Sequence, residues 1–156
     1  MSQEIEQRPS PNFKKQPGRQ ITCIVIHATA TKGIASPLEW LCSKESKVSA
    51  HYLIGLDGKV YQLVQDMDQA WHAGESEWRG QKWVNSFSIG IELVNPNDGQ
   101  TPYPDAQIDS VTELCSALVK RYGIHVDNIV AHYDVAPGRK NDPAGFDFAA
   151  LRGALS

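Results

Sequence analysis

The chain has 156 residues, 41% of them hydrophobic and 21% charged, with a formal net charge of −3, a balance that fits one globular domain rather than a disordered chain. The slight acidic excess gives no support to a nucleic-acid partner, which usually shows a basic excess, and none is expected. No run reaches the roughly 18 apolar residues of a membrane-spanning helix, so no membrane insertion is expected.

Residues 1–19 carry Pro9, Pro11, Pro17 and Gly18 and read as an irregular arm ahead of a single domain over 20–156. Their first fifteen residues lack a basic start followed by an apolar run, so they do not read as a secretory signal and the chain is expected in the cytoplasm as made. Ile21–Ile26 is short, branched and apolar, the signature of a buried strand, and His27 follows on the face of Ile21, Cys23 and Val25. Ser36, Pro37 and Glu39 resemble a helix start, with the helix running to about Ser43. His51–Leu56 and Lys59–Val64 flank an Asp57-Gly58 pair, which predicts a hairpin with a tight turn.

Residues 66–86 hold Trp71, His72, Trp78 and Trp83 without a sustained period and read as a long loop. A strand is expected over Phe87–Val94 and turns over 95–104. A helix over Asp105–Tyr122 follows from the spacing of Ile108, Val111, Leu114, Cys115 and Leu118, with Gly123 as its stop. Asn128–Ala131 is a short strand leading to His132, the segment 133–146 is a loop, and a last helix covers about Phe148–Leu155. Several strands with one strong helix predict a mixed α/β fold, a central mixed sheet flanked by helices. Cys23, Cys42 and Cys115 form no CxxC pair and no even set, which argues against a disulfide framework; Cys23 and Cys115 read as core residues.

Few residues stand out chemically. His27 and His132 each follow a strand, and Asp142 lies beyond a Pro-Gly turn that could fold it back towards His132. Together they could hold a metal, or the histidines could be satisfied by nearby carbonyls. Glu92 interrupts the apolar run IGIELV, so it either pairs with a buried base or faces a site as a general base. Lys140 in GRKND reads as part of a solvated turn, and the phrase AWHAG suits either a sugar or peptide groove or a packed loop.

Several stretches, taken in order, carry a resemblance: IVIHATAT (24–31), VSAHYLI (48–54), DGKVYQLV (57–64), AWHAGESEWRG (70–80), NSFSIGIELVN (85–95) and VAHYDVAPGRKNDPAG (130–145). Over residues 8–153 the chain resembles the type-2 N-acetylmuramoyl-L-alanine amidases, related in fold to peptidoglycan-recognition proteins. The resemblance implies a zinc ion held by His27, His132 and Asp142, Glu92 as general base and Lys140 as oxyanion stabiliser. It places His72, Trp71 and Asn95 at the substrate and implies a peptidoglycan or muropeptide substrate for an expected monomer. Phage lysozyme-amidases that resemble this fold use cysteine where this chain has Asp142, and a tyrosine where it has Ala50. Asp142 together with Glu92 matches the bacterial muropeptide branch. Tyr52 should face away from the site by strand alternation. A catalytically inactive wall-binding module is the main alternative. Within the enzyme reading the choice lies between a cytoplasmic amidase that recycles anhydromuropeptides and a phage or prophage lysin, and the compact 95–104 segment and the Trp-rich 71–83 segment tilt the expectation slightly towards a lysin or broad wall amidase.

Overall fold

The computed structural model describes residues 3–156. Two short strands, β1 (Ile5–Gln7) and β2 (Phe13–Lys15), precede the long strand β3 (Cys23–Ala28) and helix α1 (Ala35–Leu41). Strands β4 (Tyr52–Ile54), β5 (Val60–Gln62) and β6 (Asp68–Ala70) follow, then the two-residue strands β7 (Glu77–Trp78) and β8 (Gln81–Lys82), and the second long strand β9 (Ser88–Leu93). Helix α2 (Asp105–Tyr122), strand β10 (Ile129–Ala131), the single turn α3 (His132–Val135) and helix α4 (Phe148–Leu155) come last.

The two apolar runs take the middle of a six-stranded mixed sheet, in the order β1-β5-β4-β9-β3-β10. Strands β4, β9, β3 and β10 are mutually parallel, and β5 runs antiparallel to β4. Parallel strands covered on both faces favour branched apolar side chains, which is what CIVIHA and SIGIEL supply. Ile24, Ile26, Ile89 and Ile91 pack against Val111, Leu114 and Leu118 of α2 and Leu151 of α4. Cys23 and Val25 face the other way, against Val84, Phe87, Val130 and Val135. Ile21 precedes β3 and packs on the α2 side, so it does not share the face of Cys23, Val25 and His27.

Helix α2 matches its apolar spacing, and Gly123 closes it in the left-handed region at φ 66. Its fully buried Gln107 was not anticipated: the amide donates to the carbonyls of Ile54 and Val94, both at 3.0 Å, and ties off the ends of β4 and β9. No helix among the described residues is long and apolar enough to cross a membrane.

Four local expectations change. The arm is not irregular throughout: β1 adds to the sheet parallel to β5, and β2 pairs antiparallel with β6. Buried Ser10, Asn12 and Arg19 fasten it, Asn12 by donating to the carbonyls of Ser43 and Val48. Helix α1 starts at Ala35 with no side-chain cap, so Pro37 sits inside the first turn, where its missing N–H costs nothing. The hairpin turn has three residues rather than two. The Gly55 amide donates to the Lys59 carbonyl, and Gly58 takes the left-handed position at φ 83. Finally, the segment expected as a bare loop contains β6, β7 and β8, pairings too short to show a period.

His51 is fully buried beside this sheet. The Gly90 amide donates to its Nδ1 at 3.1 Å, so the proton sits on Nε2, which lies 2.8 Å from the Asp68 carbonyl. Burial first, and the neighbouring Arg19 guanidinium second, push its pKa down to about 4. Below about pH 6.5 the unfolded chain binds a proton here that the folded chain refuses until about pH 4. In the metal-free protein His51 alone is therefore expected to remove about 2–3 kcal/mol of unfolding free energy between pH 7 and 4.5, relative to a His51→Gln variant that cannot take up the proton. Denaturant titrations of both proteins across that range check this, and a difference between them that does not change with pH contradicts it.

Candidate metal centre and active site

The parallel strands β3, β9 and β10 end at one edge of the sheet, the usual place for a site in an open α/β sheet. His27 is the next-to-last residue of β3, and its register partner on β9 is Glu92. His132 is the first residue beyond β10. Asp142 returns from the 133–146 segment, where its backbone carbonyl accepts from the Tyr133 amide at 3.1 Å and its Oδ2 accepts from the Ala28 amide at 3.2 Å. A short helix and two backbone anchors thus bring a residue ten positions away back to His132.

All three side chains are buried, and one donor atom from each lies within 4.8 Å of the others. The His27 and His132 Nδ1 atoms stand 3.0 Å apart, and His132 Nδ1 is 3.0 Å from Asp142 Oδ1. Asp142 Oδ2 is 3.6 Å from His27 Nδ1. The outer Nε2 of His132 is 3.3 Å from the Ala73 carbonyl, which can only accept, so the proton lies outside and the Nδ1 lone pair faces in. Burial pushes the His27 pKa down to about 4, against the opposing Asp142 hydrogen bond, so this imidazole is neutral near pH 7. Burial alone would raise Asp142, but the close approach of its carboxylate to the His132 and His27 rings holds it well below the usual range. Two imidazole nitrogens and a carboxylate facing one another are a donor set that could hold a divalent metal.

Glu92 lies beside this group, with Oε1 3.9 Å from His27 Nδ1. Its Oε2 is buried without a hydrogen-bond partner. Burial first and the Asp142 charge second raise its pKa to about 8, against the pull of Lys140. Its ionic contact is this long approach to the buried His27 ring, and among the described residues no lysine or arginine forms a salt bridge with it.

These residues line one cleft of about 1020 Å³, together with Trp71, His72 and Lys140. Trp71 is held through its backbone, its amide donating to Ser49 Oγ at 2.9 Å and its carbonyl accepting from the Ser49 amide at 2.9 Å. Asn95 is not in the cleft wall. It is fully buried, donating to the Thr101 carbonyl at 3.1 Å and accepting from the Asn97 amide at 2.7 Å, so it shapes the 95–101 loop instead. His72 is 91% buried, and its ring nitrogens are engaged by His27 and Ser88. Tyr52 faces the opposite side of the sheet, as alternation requires, and its hydroxyl donates to Asp66 Oδ1 at 2.6 Å.

Sequence comparison matches residues 17–145 to the family described as N-acetylmuramoyl-L-alanine amidase. The chain belongs to this family. Among amidase relatives, AmiD of Escherichia coli is 41% identical over 138 residues, covering 80% of this chain and 49% of AmiD. The 1,6-anhydro-N-acetylmuramyl-L-alanine amidase AmpD of Haemophilus influenzae is 36% identical over 162 residues, covering 92% of this chain and 87% of AmpD. The chain thus spans about half the length of AmiD but most of that AmpD. The structure of E. coli AmiD in complex with the substrate anhydro-N-acetylmuramic acid-L-Ala-D-gamma-Glu-L-Lys superposes with a TM-score of 0.78 at 34% identity, covering 93% of this chain and 66% of AmiD. The mixed α/β amidase fold is therefore established.

Sequence reasoning missed Asn85, Ser88 and Arg139. Asn85 Oδ1 accepts from the backbone amides of His72 and Ala73, at 3.2 and 2.8 Å. Arg139 donates to the carbonyls of Ala73 at 2.6 Å and Glu75 at 2.8 Å. The Ser88 hydroxyl meets the His72 ring, and the partners of Asn85 and Arg139 are backbone atoms remote in sequence, which no local pattern announces.

Proposed function

We propose that this chain is a zinc-dependent hydrolase of the amide bond between the lactyl group of N-acetylmuramic acid and L-alanine, acting on muropeptides. The observation that carries this reading is the convergence of His27, His132 and Asp142 beside the unpartnered Glu92 in one cleft. Two imidazoles and one carboxylate suit zinc, and three protein ligands are the number typical of catalytic zinc. Zinc bound there would polarise the scissile carbonyl and lower the pKa of a water molecule.

The chain's own residues supply the rest. Glu92 is a carboxylate made more basic by burial, and it takes the proton from the attacking water as oxygen bonds to the carbonyl carbon. It then gives that proton to the alanine nitrogen as the carbon–nitrogen bond breaks. Lys140 is an exposed cation on the cleft wall and offsets the negative charge that gathers on the carbonyl oxygen. The backbone anchors on Asp142 and Trp71 keep the cleft from rearranging as charge develops. An inactive binding module would need no unpartnered carboxylate beside an intact donor set, and holding one there is costly. Small anhydromuropeptides are favoured over the intact wall because the AmpD and AmiD relatives are described with such compounds.

Incubation with an anhydromuropeptide and, separately, with intact sacculi tests this when products are weighed by mass spectrometry. The expected products are a free lactyl carboxylate and a peptide beginning with L-alanine, formed faster from the fragment. Cleavage between sugars instead would overturn the assignment.

A further inference from the structure

The outward-facing nitrogens of both histidine ligands end on consecutive residues. His27 Nε2 lies 2.9 Å from His72 Nδ1, and His132 Nε2 lies 3.3 Å from the Ala73 carbonyl. One side-chain oxygen fixes both residues: Asn85 Oδ1 accepts from the amides of His72 and Ala73. Asn85 is itself fixed, because its carbonyl accepts from Arg19 Nη1 at 3.1 Å, and the same guanidinium donates to the Ser88 carbonyl at 2.8 Å.

The His72 ring has little freedom. It lies directly on β9 at Gly90, where any Cβ would come within 2.3 Å of the ring. Its Nε2 is 3.0 Å from Ser88 Oγ. Ser88, Gly90 and Glu92 alternate onto the same face of β9, so one strand seats His72 and also carries the carboxylate of the site. Donor and acceptor roles run consistently along this line. If His27 Nδ1 offers its lone pair inward, its Nε2–H donates to His72 Nδ1, and His72 Nε2–H donates to Ser88 Oγ.

We propose that His72 and Ala73, pinned by Asn85, form a collar that sets the tautomer and ring orientation of both histidine ligands, so that His72 and Asn85 are positioning residues for the metal rather than substrate contacts. The inference rests on the zinc reading given above. Outer partners of metal-bound imidazoles hold the ring in its binding tautomer, and their loss typically weakens metal binding by about 10–100-fold.

Zinc affinity, measured by competition with a chromophoric chelator, tests the collar separately from catalysis. His72→Phe fills the space without an acceptor, and Asn85→Ala removes the pin; each is expected to weaken zinc binding by about 10–100-fold. His72→Asn keeps an acceptor near the Nδ1 position and Asn85→Asp keeps Oδ1, and both are expected to recover most of the affinity. At saturating zinc, KM for the anhydromuropeptide should stay within about twofold of wild type. Circular dichroism and thermal unfolding of the metal-free variants identify any that fail to fold, and the conservative pair then decides. Wild-type zinc affinity in folded His72→Phe and Asn85→Ala overturns the collar while leaving the zinc reading intact. So does a raised KM with unchanged affinity, which would make His72 a substrate contact. No zinc binding by the wild-type protein overturns both.

Discussion

Asp142→Ala is expected to bind no stoichiometric zinc and to lose about a thousandfold or more in kcat/KM, equivalent to about 4 kcal/mol of barrier. The substitution is selective. The backbone at position 142 stays anchored through the Tyr133 amide, and only the carboxylate facing the two imidazoles and the Ala28 amide is removed. Two imidazole nitrogens remain without the anion that completes the donor set. Equilibrium dialysis with metal analysis, beside the amide-cleavage assay, reads both effects. Stoichiometric zinc with normal turnover in this variant would remove Asp142 from the centre.

Glu92→Gln is expected to behave differently. It should keep zinc, because Glu92 lies outside the three converging donors, and lose about 10²–10⁴-fold in kcat, the range for a missing general acid–base group. A second readout follows from its protonation. Its folded-state pKa is raised from 4.5 to about 8, so its contribution to stability is intact below about pH 4.5 and lost as pH rises through 8. The metal-free Gln variant should therefore be more stable than wild type at pH 8, by about 1–3 kcal/mol, while nearly inactive. That combination separates a carboxylate kept for chemistry from one kept for folding. Equal turnover, or a less stable variant at pH 8, would contradict the assignment.

The centre of the fold was legible because its physics is local. The apolar runs around Ile24 and Ile89 and the spacing along Asp105–Tyr122 state burial directly, and the structure places both runs side by side in the sheet. The 5–7, 13–15 and 77–82 pairings were not legible, because strands of two or three residues have no period and exist only through their partners. Ser36 looked like a helix cap, which would start the helix at Pro37, but the helix begins two residues earlier, at Ala35, with Ile34 in the cap position and no side-chain cap. At the site, spacing alone left His27, His132 and Asp142 open to a bland reading; the motifs around them drew them together, and the structure brings the three donors within reach of one ion. His72 and Asn95 were assigned to substrate from motif context. Hydrogen bonding gives His72 to His27 and Ser88, and gives Asn95 to its own loop. Asn85 had no signal at all, because its work is to accept from two backbone amides.

Hydrolysis is expected to depend on one metal ion held by His27, His132 and Asp142. The most direct test strips the purified protein with a chelator, adds zinc back in measured increments, and follows amide cleavage of an anhydromuropeptide alongside bound metal. Activity should be lost on stripping and should return in proportion to zinc, reaching a plateau at one ion per chain. Undiminished cleavage by metal-free protein, or a plateau that does not track zinc at this centre, would contradict the account.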